Sequence, residues 1–493
     1  MLGAEAHPAY NRILLSAVLA GTMSTDAIAL HDREWAERHH VDLRLDTAVI
    51  EVDREVREVV TGTGDRLGYD TLVLATGSRA WLPPVDGLAH PDGTPADGVS
   101  VFRDLDDCRR ILELAEGHER HVAVLGGGLL GLEAARGLTG RGVRVTVLHP
   151  QPHLMERQLD RGAGRVLARS LSALGVDVRL AVGVTRWRPG QGLETTRHGD
   201  GTMPCDAVVV AAGVRAETGL AERAGLVVDS GIRVDDRLAS SDARIHALGD
   251  CAQHPGTAPG LLTPAWEQAT VLADLLTGSD PDARYHGSRL VTRLKARGLD
   301  LAVFGASHDD DHDDDHDDSV TDGAASDGAA SDGAGPERAE VLRFSDAARG
   351  RYAKLVLRDD RVTGGILLGV PDAAATVVQL YERGTPAPTD RLALLLGRAL
   401  PDPATPVESA AHLPARAVVC RCNTVTKGSL VAAWRAGARD ADALGDATRA
   451  GTGCGSCRDV VTGLCDWLTE TDPPSGPDVD SSPDPDPAQE GAA

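Results

Sequence analysis

Cys420 and Cys422 stand one residue apart in Val-Val-Cys420-Arg-Cys422-Asn-Thr-Val-Thr; 31 positions further on, Gly451-Thr-Gly-Cys454-Gly-Ser-Cys457 places two more at C-x-x-C spacing. Four thiolates in two tight pairs suit an iron–sulfur cluster or a tetrahedral zinc ion. The glycines around Cys454 let backbone amides approach sulfur, which larger residues would obstruct. Buried free thiols are the plain alternative. Half of the eight cysteines fall between 420 and 457, however, and that crowding points to a shared ligand. Zinc sites usually repeat C-x-x-C, so the C-x-C arm favours iron and sulfide while leaving zinc open.

A second chemistry-bearing stretch is His121-Val-Ala-Val-Leu125 followed by Gly126-Gly127-Gly128-Leu-Leu-Gly131-Leu-Glu133, with a second apolar run at Val143–Leu148. This is G-x-G-x-x-G in a strand–turn–helix–strand context, the condition under which the motif means dinucleotide binding. Gly126 permits the turn, Gly128 lets a pyrophosphate touch backbone, and Gly131 allows close helix–strand packing. The helix start then offers unpaired amides to the phosphates. The second strand normally ends in an acid for the ribose of NAD. Here it ends in His149-Pro150, so the motif does not choose between NADH and NADPH.

Three more apolar strands stop at small residues: Leu72-Val-Leu-Ala-Thr76-Gly77, Ala207–Ala212 before Gly213, and Ile245-His-Ala-Leu-Gly249-Asp250. Strand ends of this kind let backbone approach a flat ligand, although a structural turn would look the same. Asp250 can accept from ribityl or ribose hydroxyls, or simply cap a helix. Pro264-Ala-Trp-Glu267-Gln opens a helix with proline in its first turn.

The order of these pieces resembles the flavoprotein disulfide reductase superfamily, which has two dinucleotide-binding domains. Tyr10-Asn-Arg12-Ile-Leu-Leu-Ser16, Val101-Phe-Arg103-Asp-Leu and Leu154-Met-Glu-Arg-Gln-Leu-Asp160 are similar to the large subunit of assimilatory NADH-nitrite reductases and to electron-transfer subunits of assimilatory nitrate reductases. Residues 415–470 resemble the small [2Fe-2S] domain of the bacterioferritin-associated ferredoxin type. The resemblance implies FAD on Thr76, Gly77 and Asp250, with Arg12 near the flavin and Glu5 on the adenosine ribose; Gly213 is a further cofactor-binding marker. It implies NADH, or NADPH, on Gly126, Gly128 and Gly131, with Glu133 in the following helix. The amides opening the Pro264 helix, with Glu267 in its first turn, would face the flavin. Cys420, Cys422, Cys454 and Cys457 would hold the cluster. Hydride transfer needs no side-chain acid, base or nucleophile, so no catalytic residue is assigned.

Two departures stand out. The family's N-terminal strand, glycine motif and helix for the FAD pyrophosphate are not in this sequence, which carries the expectation of a native start a few tens of residues upstream. Relatives that reduce disulfides or peroxides place a cysteine beside the flavin near the start of the chain; here the first cysteine is Cys108, well past that region, so a thiol relay is not expected.

These readings define an α/β protein. The FAD-binding domain is expected over 1–117 and 240–285, the NAD(P)-binding domain over 118–239, and a small α+β domain over 286–395. A linker at 396–414 then leads to a small α-helical [2Fe-2S] domain at 415–470. Segment 307–336 reads as a solvated insert: its His308, His312 and His316 have helical spacing for a metal, but massed aspartates repel. The acidic end, 471–493, reads as a disordered tail. The net charge of −24 sits mostly in these two segments, where 309–335 and 472–493 hold 17 acidic and no basic residues; nucleic acid is excluded as a partner. No run approaches the roughly 18 apolar residues that span a bilayer. Lone cysteines at 108, 205, 251 and 465 fit a reducing, cytoplasmic setting. The expected activity is NAD(P)H oxidation with electrons passed through the cluster to a nitrate or nitrite reductase catalytic subunit. A general ferredoxin or rubredoxin reductase, or a zinc-binding redox sensor, are the alternatives. The sequence admits a homodimer without specifying one.

Overall fold

The computed structural model describes residues 1–31, 34–196, 201–255, 260–307, 339–395, 413–420, 423, 425–453 and 457–472. The Asp/His tract from 308, linker residues 396–412, the tail from 473 on, Cys422 and Cys454 lie outside these. The chain divides into two compact units, Met1–Thr405 and Pro406–Ala493.

The first unit opens with Leu2 bridged to Arg44, then the short helices α1 (Leu15–Leu19) and α2 (Trp35–Arg38). An antiparallel meander follows: β1 (Val49–Asp53), β2 (Glu58–Thr61) and β3 (Arg66–Gly68). The alternation at Val41–Val52 reads as a single strand, yet the strand starts only at Val49. Asp46 adopts the left-handed region (φ 50°) and its amide is taken by Glu5 O, which breaks the extended run.

Next come β4 (Leu72–Leu74), β5 (Ser78–Ala80), β6 (Val99–Val101) and α3 (Leu105–Ala115), whose start is held by a reciprocal Asp104–Asp107 capping box. The centre of the unit is β7 (His121–Leu125), α4 (Leu129–Gly140), β8 (Arg144–His149), α5 (Arg161–Ala173) and β9 (Asp177–Leu180). A hairpin layer of β10 (Val184–Arg188), β11 (Gly192–Thr195) and β12 (Thr202–Met203) precedes β13 (Ala207–Val210) and β14 (Val214–Ala216). The parallel sheet runs β6-β13-β7-β8-β9. β7 and β13 are buried at every position, as apolar strands covered on both faces must be.

After α6 (Gly219–Arg223) and β15 (Ile232–Arg233), β16 (Ile245–Ala247) pairs in parallel with β4 as a two-stranded sheet, while β14 returns to pair with β5. β17 (Ala252–Gln253) pairs with β15, and α7 (Leu262–Thr277) ends on left-handed Gly278. The remainder of the unit is an antiparallel sheet of β18 (Val291–Ala296), β19 (Leu299–Gly305), β20 (Glu340–Asp346), β21 (Arg351–Arg358) and β22 (Arg361–Leu368), in the order β18-β19-β22-β21-β20. It carries α8 (Pro371–Arg383) and α9 (Arg391–Leu395). This sheet is locked to the central one by buried polar groups. Asp160, which caps α5 by accepting from Ala163 N, also accepts from Tyr352 Oη (2.5 Å) and pairs with Lys354 Nζ (3.8 Å).

In the second unit, β23 (Val418–Cys420) and β24 (Val425–Thr426) form a short hairpin ahead of α10 (Lys427–Arg435), α11 (Ala441–Thr448) and α12 (Arg458–Thr471). Trp434 and Leu464 are fully buried among these helices.

Candidate redox-cofactor sites

β7 delivers the chain to Gly126 at φ 122°, where a Cβ would lie 2.3 Å from Ala211 O; a Cβ on Gly131 would lie 2.2 Å from Gly126 O. Only glycine fits either place, because helix, turn and strand are in backbone contact. Gly128, the N-cap of α4, has no side-chain cap, and nothing lies within 4 Å of where its Cβ would be. The helix start is therefore an open cradle of unpaired amides that fits a pyrophosphate. Beneath it, Gly127 N donates to His149 Nδ1 (3.1 Å), and His149 Nε2 lies 3.0 Å from Glu156 Oε2. Burial pushes the imidazole below its ordinary range despite the Glu156 carboxylate. Glu133 sits on the other side of α4, where it accepts from Lys295 N (3.0 Å) and Ser16. Burial raises its carboxyl, and the Lys295 charge opposes that rise.

The ends of β4, β14 and β16 meet at a second place. Thr76 Oγ1 donates to Glu217 O (2.6 Å), Gly77 O accepts from Glu217 N (2.9 Å), and Gly213 O accepts from Trp81 N (3.0 Å). Gly249 N donates to the buried Gln268 Oε1 (2.8 Å). Gly77, Gly213 and Gly249 all have positive φ. A Cβ at either of the first two would meet nothing within 4 Å, and at Gly249 it would meet only Ala265 at 3.8 Å. Asp250 Oδ2 accepts from Ser78 Oγ (2.8 Å) and Arg103 Nη2 (2.7 Å); no bond falls on Oδ1 among the described residues. One turn into α7, the buried Trp266 Nε1 has no partner among the described residues. Open backbone, a bare carboxylate oxygen, an unpartnered indole N–H and a helix start fit the ring and ribityl side of a flavin. Among the described residues, no strand–glycine turn–helix serves its pyrophosphate.

Glu5 and Arg12, assigned to opposite ends of a flavin by the resemblance, are ion-paired with each other. Glu5 also accepts from Tyr10 Oη (2.7 Å), and Arg12 Nη1 donates to Arg103 O (3.3 Å), which joins them to the Asp250 group. Glu267 is bonded to Ser288 Oγ. The Arg103–Asp250 pair was not visible from the sequence, although the Val101-Phe-Arg103 run marked one of its members.

In the second unit Cys420 and Cys457 are buried. Gly451 N, on a left-handed turn (φ 75°), donates to Cys457 Sγ at 3.1 Å, and such bonds stabilise charge on a ligating sulfur. Asn423 Nδ2 ties the two arms by donating to Arg449 O (2.6 Å) and Thr452 Oγ1 (3.2 Å). Burial raises the Cys465 thiol, which sits on α12 and keeps its proton. Soft, buried sulfur with an aimed amide fits a cluster.

A parallel doubly wound sheet with an open glycine turn, beside a second set of glycine-ended strands, defines a two-site dinucleotide-binding oxidoreductase. The chain belongs to the pyridine nucleotide-disulphide oxidoreductase family, which matches residues 1–269, and so takes FAD and NAD(P)H. Residues 418–466, which contain Cys420, Cys422, Cys454 and Cys457, match the BFD-like [2Fe-2S] binding domain. Among curated proteins it is 34% identical over 463 residues to a nitrite reductase [NAD(P)H] of Bacillus subtilis (strain 168), covering 94% of this chain and 53% of that protein. It is 32% identical over 475 residues to the assimilatory nitrate reductase electron transfer subunit of the same organism, covering 96% and 56%. The chain thus spans about half the length of these relatives. In fold it is similar to a crystal structure of the covalent putidaredoxin reductase–putidaredoxin complex (TM-score 0.65, 23% identity, 78% of this chain and 87% of that one).

Proposed function

We propose that this chain takes a hydride from a nicotinamide dinucleotide seated on Gly126–Gly131 and releases single electrons to a separate nitrate or nitrite reductase catalytic subunit. Carrying the reading is the union, on one chain, of the open glycine turn and the buried cysteine module. FAD converts a two-electron donor into one-electron steps, and a [2Fe-2S] cluster carries single electrons.

The residues orient and tune. The amides around Gly128 and Gly131 bind phosphate, while Glu133 lies behind α4. Thr76, Gly77 and Gly213 keep backbone flat against the flavin, and Asp250 offers Oδ1 to a ribityl hydroxyl. Glu5 and Arg12 close that site, and the start of α7, the helix that carries Glu267, puts a positive helix end where reduction adds negative charge. Cys420, Cys422, Cys454 and Cys457 ligate the cluster, and the Gly451 amide favours its charged form. A cytoplasmic setting belongs to the same reading; no helix among the described residues is long and apolar enough to cross a membrane. Homodimer formation belongs to the same reading.

Anaerobic titration with NADH, followed optically, tests it. Flavin and cluster absorption should bleach together, and Cys420→Ser should abolish electron delivery to the partner while the flavin still bleaches. A Cys420→Ser protein that serves its partner at full speed would end the proposal.

A further inference from the structure

β8 ends where sheets of this kind carry an acid for the adenosine ribose, and here the residue is His149. Its ring is packed under the glycine turn, since a Cβ on Gly127 would come within 2.8 Å of the imidazole Cγ. Nδ1 accepts the Gly127 N–H, so the proton of the neutral ring is on Nε2, which faces Glu156 Oε2 at 3.0 Å. Met155, at φ 52°, donates its amide to Gly127 O (3.0 Å) and so folds the 154–156 backbone against the turn. A carboxylate seven residues further along the chain is thereby brought to the end of β8. The His149 side chain is 6% exposed and that of Glu156 35%, so the carboxylate keeps a solvated face that can accept another hydrogen bond.

We infer that Glu156, aimed by His149, accepts the 2′-hydroxyl of the adenosine ribose and makes the site select a dinucleotide without a 2′-phosphate. A carboxylate only accepts, so it pairs with a donating hydroxyl and repels a phosphate. The inference rests on the proposed seating of the dinucleotide on Gly126–Gly131.

Equilibrium binding to the full chain, by anaerobic calorimetry on protein already reduced with dithionite so that neither nucleotide can react, tests it with NADH, NADPH, adenosine 5′-monophosphate and adenosine 2′,5′-bisphosphate. The wild type should bind NADH at least roughly tenfold more tightly than NADPH, and the two fragments should rank the same way. Glu156→Gln keeps an acceptor for His149 and loses only the charge. It should weaken NADH by roughly tenfold and bring NADPH within about threefold of it, at an unchanged melting temperature. A Glu156 that merely braces His149 would weaken both nucleotides alike, and that result overturns the inference, as does a wild type that prefers NADPH. Binding of both nucleotides in a ratio indifferent to Glu156 removes this inference alone; binding of neither removes the glycine-turn seating as well.

Discussion

The nicotinamide and flavin halves of the first unit use the same device, a buried strand ending at glycine, on different amounts of sheet. On the nicotinamide side, β7 lies inside five parallel strands, and its turn is packed so closely that a Cβ on Gly126 or Gly131 would come within 2.2–2.3 Å of a backbone oxygen, which excludes any side chain there. On the flavin side, β4 and β16 form only a pair, and the glycines at their ends face open space. The first site is shaped by packing. The second depends on side-chain bonds across the chain, Ser78 and Arg103 to Asp250 above all.

The contrast can be broken in four ways. The largest effect is expected from Lys354→Ala, because the antiparallel sheet leans on the nicotinamide half through Asp160. Removing the buried cation should cost about 3–5 kcal/mol in urea unfolding, and a loss below about 1 kcal/mol would show that the contact does not brace the sheet. Gly131→Ala comes next: its Cβ must displace Gly126 O, so NADH affinity should fall roughly ten- to a hundredfold with flavin content unchanged. Asp250→Ala should do the reverse, raising the flavin dissociation constant roughly ten- to a hundredfold and sparing ADP-ribose binding. If either variant disturbs both sites equally, the halves are not independent.

The smallest effect is one of pH. Burial holds His149 below its ordinary imidazole range, with Glu156 and His153 as its titratable neighbours. The folded chain binds fewer protons there than the unfolded one. Stability from the neutral ring is therefore complete above the ordinary range and is lost as pH falls through the depressed value. Protonation would set an Nδ1–H against Gly127 N–H. NADH affinity should thus fall once the pH drops below the ordinary imidazole range and through the depressed value, while flavin content, measured over the same range, stays level.

Local pattern carried much of this to the surface of the sequence. The glycine fingerprint, the cysteine pairs and the apolar strands are short-range signals, since each depends on residues a few positions apart whose backbone demands are intrinsic. The meander is present, but its first strand starts later than the alternation at Val41–Val52 implies, because that pattern does not reveal that Asp46 turns left-handed.

Contacts between distant residues were decided only by folding. Arg103 reaches Asp250 across 147 positions and Tyr352 reaches Asp160 across 192. Nothing in Leu-His149-Pro-Gln-Pro-His-Leu-Met-Glu156 announces that a loop folded under Gly127 returns a carboxylate to the strand end. Composition and spacing determined which groups this protein has available, because backbone freedom and sulfur chemistry belong to single residues. Which of those groups meet was left to the tertiary structure, because burial and hydrogen-bond direction exist only once the elements have packed.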